Sequence, residues 1–430
     1  MRPLFHSLTF LLIIFVSTVT ACLWDTDTLN EEMSASPTAI ELVTGAFPRH
    51  SEIFYRWRIK DRTAKLEQGN DNPLHYDDIA VAHDKLHEQD KAIEWMKRKE
   101  EKYPGNYETY ANLGTFHIHS GNFLEGIRYI EKALKINSAA HFNREQYQLY
   151  VVRYLQYCTQ HGQFKDGKLL LPLSRDPYLE ARNPRPRNHG GEVGEVEEVP
   201  EKGINSFYSF IAIDLADKTA KQYNPEHVQM SEEETAKAIQ GILGMMRFGH
   251  HDSPILLECL ADLLVPHPSH GVGNRIAARA LLKASYEVED ETAREMYYEK
   301  ACHAIFYQKE VEIIPLKEAF ERELSQAGKY HADLENLETS WIESGEDVEE
   351  KFRAQFYPRS KEDGSLAYFP VEFEQISRTS SLTEVSSAYR IFILLASLLL
   401  SISIAGHLLP KILRLRKGNL QATNKIHIYP

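Results

Sequence analysis

The chain repeats itself. Residues 74–104, LHYDDIAVAHDKLHEQDKAIEWMKRKEEKYP, align with residues 108–138, ETYANLGTFHIHSGNFLEGIRYIEKALKINS, at an offset of 34. Tyr76 meets Tyr110, Ile79 meets Leu113, Ala80 meets Gly114, His83 meets His117, Ala92 meets Gly126 and Met96 meets Ile130. A period of this length marks a supersecondary unit that buries its apolar face against its neighbour. Small residues at matching places, Ala80 with Gly114 and Ala92 with Gly126, let the two halves of a unit approach closely.

These large, small and aromatic positions resemble the tetratricopeptide repeat over residues 72–138. The resemblance implies two antiparallel helices per unit, with Tyr76 and Tyr110 filling the gap to the next unit. His83 and His117 stand where that family usually has an aromatic residue, and Lys99 where it has a small one. Two units do not bury a continuous core, so flanking helices are expected. Residues 37–69 carry helical apolar spacing interrupted at Pro48, and residues 143–162 carry a stripe of Tyr147, Val151, Tyr154, Leu155 and Cys158 that reads as a capping helix. Together they make a first lobe over 37–160. Residues 174–203 are rich in Pro, Gly and Glu with no periodic face and read as a linker. Helical periodicity resumes over 204–346, with a capping box at Ser231 and Glu234 and a likeness to the repeat in the pair 253–264 and 274–286. The expected fold class is all-α: a helix-turn-helix, tetratricopeptide-like superhelix in two lobes.

The ends carry targeting signals. Arg2, the apolar run Leu8–Val19 and the small residues before Cys22 read as a signal peptide over 1–21. Cys22 is a lipidation candidate, because the same bond resembles a lipobox, with an ordinary signal-peptidase cut as the alternative. Residues 391–409 are apolar over a length of about 28 Å, enough to span a bilayer. Lys411, Arg414, Arg416 and Lys417 follow and mark the cytoplasmic side. The reading is a single-pass protein of the bacterial inner membrane, with its body outside the cytoplasm, a stalk over 347–389, a transmembrane helix at 391–409 and a cytoplasmic tail at 410–430. CLWDTDTL, YRWRIKDRTAKL, NLGTFHIHSGN and GMMRFGHHDSP also resemble a group of exported bacterial tetratricopeptide proteins with a Cys-Leu-Trp-Asp mature start. That resemblance implies a leader cut before Cys22 and supplies no reaction.

A net charge of −13 argues against nucleic acid as a partner, since phosphate binding needs a basic surface. Four cysteines at wide spacing, without CxxC, argue against a disulfide framework. Catalytic signatures are sparse. His83 and His87 lie four apart but lack HExxH, and His117 and His119 flank Ile118 and point to different faces. GHHDSP (249–254) reads as a turn, with Gly249 closing one helix and Asp252 or Ser253 with Pro254 opening the next. No enzyme and no cofactor or metal is expected on these grounds. A repeat array offers a concave groove instead, which the register lines with Asp77, Val81, Asp84, Lys85, Ala111, Thr115, Ile118 and His119. The reading is a membrane-anchored scaffold or assembly factor that binds proteins or peptides through this groove. The alternative is an envelope hydrolase or metal-dependent enzyme built on GHHDSP.

Overall fold

The computed structural model describes residues 23–28, 37–137, 144–165, 168–174, 204, 206–218, 228–266, 272–306 and 311–357. Helix α1 (Ala39–Thr44) opens on a Thr38–Glu41 capping box and stops at Gly45, whose φ of 78° a side chain would resist. Pro48 and Ser51 then separate it from α2 (Glu52–Glu67). The repeated segment folds as α3 (Pro73–Lys85), α4 (Gln89–Lys102), α5 (Tyr107–His119) and α6 (Phe123–Ile136), so that each helix of the second hairpin starts 34 residues after its counterpart. Beyond it come α7 (Arg144–Gln160), a two-stranded hairpin of β1 (Phe164–Lys165) and β2 (Lys168–Leu169), and α8 (Phe207–Leu215). The chain continues through α9 (Glu232–Phe248), α10 (Pro254–Leu264), α11 (Val272–Glu287), α12 (Glu291–Ile305), α13 (Ile313–Glu343) and α14 (Val348–Phe356). The described residues are all-α apart from that hairpin.

Both hairpins use the same C-terminal turn. At the end of α5, Asn122 N donates to His117 O and Gly121 N to Ile118 O, with Gly121 at a φ of 78°. At the end of α3, Glu88 N donates to His83 O and His87 N to Asp84 O, the same Schellman pattern. There the left-handed position is held by His87, at a φ of 59°.

Close approach of α5 and α6 depends on two glycines. A Cβ on Gly114 would lie 2.5 Å from Ile130 Cδ1 and 3.1 Å from Ile130 N, and one on Gly126 would lie 2.5 Å from Ile118 Cγ1. Gly114→Leu must therefore push the helices apart, at a cost of about 1–3 kcal/mol or more. The exposed Glu101→Ala should stay within about 0.5 kcal/mol of the parent. Urea midpoints that coincide for the two variants would contradict this packing.

The face expected to form an open groove is covered by the chain itself. Leu23 is buried with Val81, Met96, Leu113 and Phe116. The Asn112 amide pairs with both backbone polar groups of Trp24, accepting from Trp24 N at 2.8 Å and donating to Trp24 O at 2.9 Å. Asp78 accepts from Thr26 N and Thr26 Oγ1, each at 2.9 Å. Asp25 and Asp27 then turn onto Arg58 of α2, whose side chain is wholly buried and also donates to Glu349 of α14 at 3.0 Å. His50 joins this network, with Nε2 3.2 Å from Asp27 and Nδ1 2.5 Å from Glu338 of α13. Phe54, Leu334, Trp341, Val348 and Phe352 close an apolar cluster beside it. Residues 348–356, at the start of the expected stalk, thus form a helix with a buried face.

The membrane reading is corrected. Among the described residues no helix is long and apolar enough to cross a membrane. The longest, α13, has 31 residues but alternates a buried stripe with charges such as Glu318, Glu321, Arg322 and Lys329. The expected span at 391–409, the leader at 1–21, Cys22 and the tail at 410–430 lie outside the described residues. The fold is described without a transmembrane helix, and neither inner-membrane location nor a membrane partner is carried further.

Candidate metal centre

Three helix ends converge on one point. Asp84 lies in the last turn of α3 and His119 ends α5, one residue beyond the repeat equivalent of Asp84, so adjacent helices present them side by side. His250 comes from the turn after α9, where Gly249 caps that helix and Ser253 and Pro254 open α10. Lys85 holds this turn in place: Nζ donates to Phe248 O at 2.7 Å and Gly249 O at 2.6 Å. A cation at the carbonyl end of a helix is favourable, which adds to the two hydrogen bonds. On the far side His251 lies edge-on to Phe47 and against Gly45, where a Cβ would sit 2.5 Å from its Nε2.

One ligand atom from each of Asp84, His119 and His250 lies within 4.8 Å of the other two. His119 Nδ1 and Asp84 Oδ1 are 2.7 Å apart. That contact leaves Asp84 Oδ2 and His119 Nε2 buried without a hydrogen-bond partner. Buried polar atoms without partners are costly and need a reason, and a bound ion is one. Burial opposes ionisation of Asp84, but His119, His250 and Lys85 outweigh it and hold the carboxyl below its ordinary value. Burial, then Lys85 and His119, push His250 well below the usual histidine range. The site therefore offers a carboxylate and a neutral imidazole at His250, the protonation states that ligation requires. Two imidazoles on one zinc ion at near-tetrahedral angles have ring centres roughly 5 Å apart. The His119 and His250 rings are 5.7 Å apart at 63°. These residues fit a divalent transition metal.

The other residues assigned to the groove are placed differently. Asp77 pairs with Lys99 at 2.6 Å, Val81 is in the core beside Leu23, and Ala111 packs with Tyr107 and Ala133. Thr115 accepts from Gln148 at 3.2 Å, and Ile118 lies against Gly126. All eight except Lys85 are buried. The structure brings together only Asp84, His119 and, through its hold on the turn, Lys85. His83, set aside as a ligand for lack of HExxH, bonds Glu88 through Nδ1 at 2.6 Å. His117 stacks on Tyr129 and fills its position as an aromatic would.

The expectation of no enzyme is corrected by the triad, a donor set that could hold a metal ion and so form a candidate catalytic centre. His117 and His119 do point to different faces, His117 to Tyr129 and His119 to Asp84. The repeat register itself placed Asp84 beside residues 118 and 119, a signal available in the sequence. Comparison of the chain with family models and with curated proteins yields no match. The tetratricopeptide assignment is accordingly not retained, and the fold and the site define the protein only as an all-α chain with a largely buried His-His-Asp cluster.

Proposed function

We propose that this chain binds one divalent transition-metal ion, with zinc as the ion to test, between Asp84, His119 and His250, and uses it for hydrolysis. The observation that carries the reading is the convergence of one ligand atom each from Asp84, His119 and His250 within 4.8 Å of one another. Structural zinc sites are closed by four protein ligands, whereas hydrolytic sites keep three and leave a position for water. A metal held by these residues would supply a Lewis acid and lower the pKa of water at that position. Asp84 and His119 are sealed in the core, which fixes their geometry, and His250 is the less deeply covered of the three. The membrane-anchored scaffold is replaced by this reading.

Protein purified without added chelator should contain close to one equivalent of zinc per chain by elemental analysis. His119→Ala should weaken zinc binding by about 100-fold or more, since loss of even an outer-shell partner costs 10–100-fold. A panel of ester, amide and phosphoester substrates should show a chelator-sensitive activity that the variant lacks. Zinc at background level in the parent, with no uptake on titration, would end the proposal.

A further inference from the structure

We infer that His87 is a fourth, exchangeable donor of the same site, occupying the position that substrate or water must take. The inference rests on the metal-site reading and adds a means of regulating access to it. His87 sits at the left-handed position of the turn ending α3, with a φ of 59°, where the sister turn after α5 has Gly121 at 78°. The backbone hydrogen bonds of the two turns are the same, so the geometry calls for glycine and nothing in the turn calls for an imidazole. An uncommon backbone state at such a place is a reason to look for a role of the side chain.

The imidazole has a specific neighbour. Its ring stacks on that of His250, with centres 5.1 Å apart and planes at 17°. In this stacked pose the two rings do not share an ion, because a metal bound to an imidazole lies in that ring's plane, but the contact puts the His87 imidazole within side-chain reach of the site. His87 is not among the three residues whose atoms already converge, and it is exposed, so side-chain rotation is what separates it from the ion. A donor on an exposed turn can swing in to complete a tetrahedral set and swing out again, which the buried Asp84 and His119 cannot do. The resting site would then have three imidazoles and one carboxylate, and substrate would enter by displacing His87.

The test compares parent, His87→Gly and His87→Asn in the full chain, with zinc affinity measured against a chromophoric chelator and the cobalt-substituted absorption spectrum as a second readout. Glycine and asparagine both accept the left-handed backbone. The metal-free variants should therefore melt at or above the temperature of the parent, so that a change in affinity cannot come from misfolding. The expected result is a zinc Kd at least tenfold weaker in both variants, with the cobalt bands losing intensity as water replaces the fourth donor. Variants that bind zinc within threefold of a zinc-binding parent would overturn the role of His87 and leave the three-ligand site standing. A parent that binds no zinc would overturn both.

Discussion

Arg58→Leu should destabilise the protein by about 3–5 kcal/mol, the range seen when one partner is removed from a buried ion cluster. The Arg58 side chain is completely buried against the face of Phe54, 4.4 Å from the ring centre. It donates to Asp25 at 3.0 Å, to Asp27 and to Glu349 at 3.0 Å. Burial works against its charge, but Asp27, Asp78, Asp25 and Glu349 hold its pKa well above the ordinary arginine value. Leucine would leave these carboxylates in the interior without their central cation. Because Asp25 and Asp27 belong to the segment that covers the repeat face, that segment should also detach, exposing Leu23. Arg56→Leu provides the comparison. Arg56 pairs with Glu52 on the surface at 3.2 Å, and an exposed pair is worth about 1 kcal/mol or less. Urea unfolding of both variants measures the difference, and a loss for Arg58→Leu no greater than that for Arg56→Leu would refute the account of the cluster.

Alkaline pH should weaken the same region through His50. Burial opposes its protonation, but Asp27 and Glu338, on opposite ring nitrogens, raise its pKa from 6.5 to about 9. The carboxyl of Asp27 is held well below its usual range, by Arg58 and then His50 against the opposing effect of burial, and stays ionised throughout. A histidine raised on folding binds its proton more tightly in the native state. Its contribution is therefore complete below pH 6.5, the unfolded value, and disappears as pH rises through about 9. The rise corresponds to roughly 3 kcal/mol. With chelator present to exclude metal effects, the urea midpoint should fall between pH 7 and 9.5. His50→Gln should be less stable at pH 7 and nearly flat over that interval. A parent curve as flat as that of the variant would show that His50 is not charged in the fold.

Both predictions concern contacts that no local pattern announces. The helices themselves were legible. The offset of 34 located α3 to α6, Pro48 separated α1 from α2, and Ser231 with Glu234 forms the expected capping box at the start of α9. GHHDSP forms a turn, as its composition predicts, with Gly249 at one end and Ser253 at the other. The glycine contacts between α5 and α6 also follow from the sequence, because matching small residues in the two units leave no other use for them.

What the sequence determined by itself was therefore the all-α class, the paired helices and their stops. Each of these depends on residues within four or five positions of one another, through the 3.6-residue period, the caps and the left-handed turns. Only the tertiary structure decided that Leu23–Thr28 would cover the repeat face, that α13 would return to His50 across 288 residues, and that Lys85 would draw in the carbonyls of Phe248 and Gly249 across 163 and 164. It alone delivered His250 to Asp84 and His119. Such meetings depend on how side-chain volumes and buried charges are satisfied together over the whole chain. A turn motif states that His250 will leave the helix at Gly249, but the direction it takes is set by the helices packed on either side.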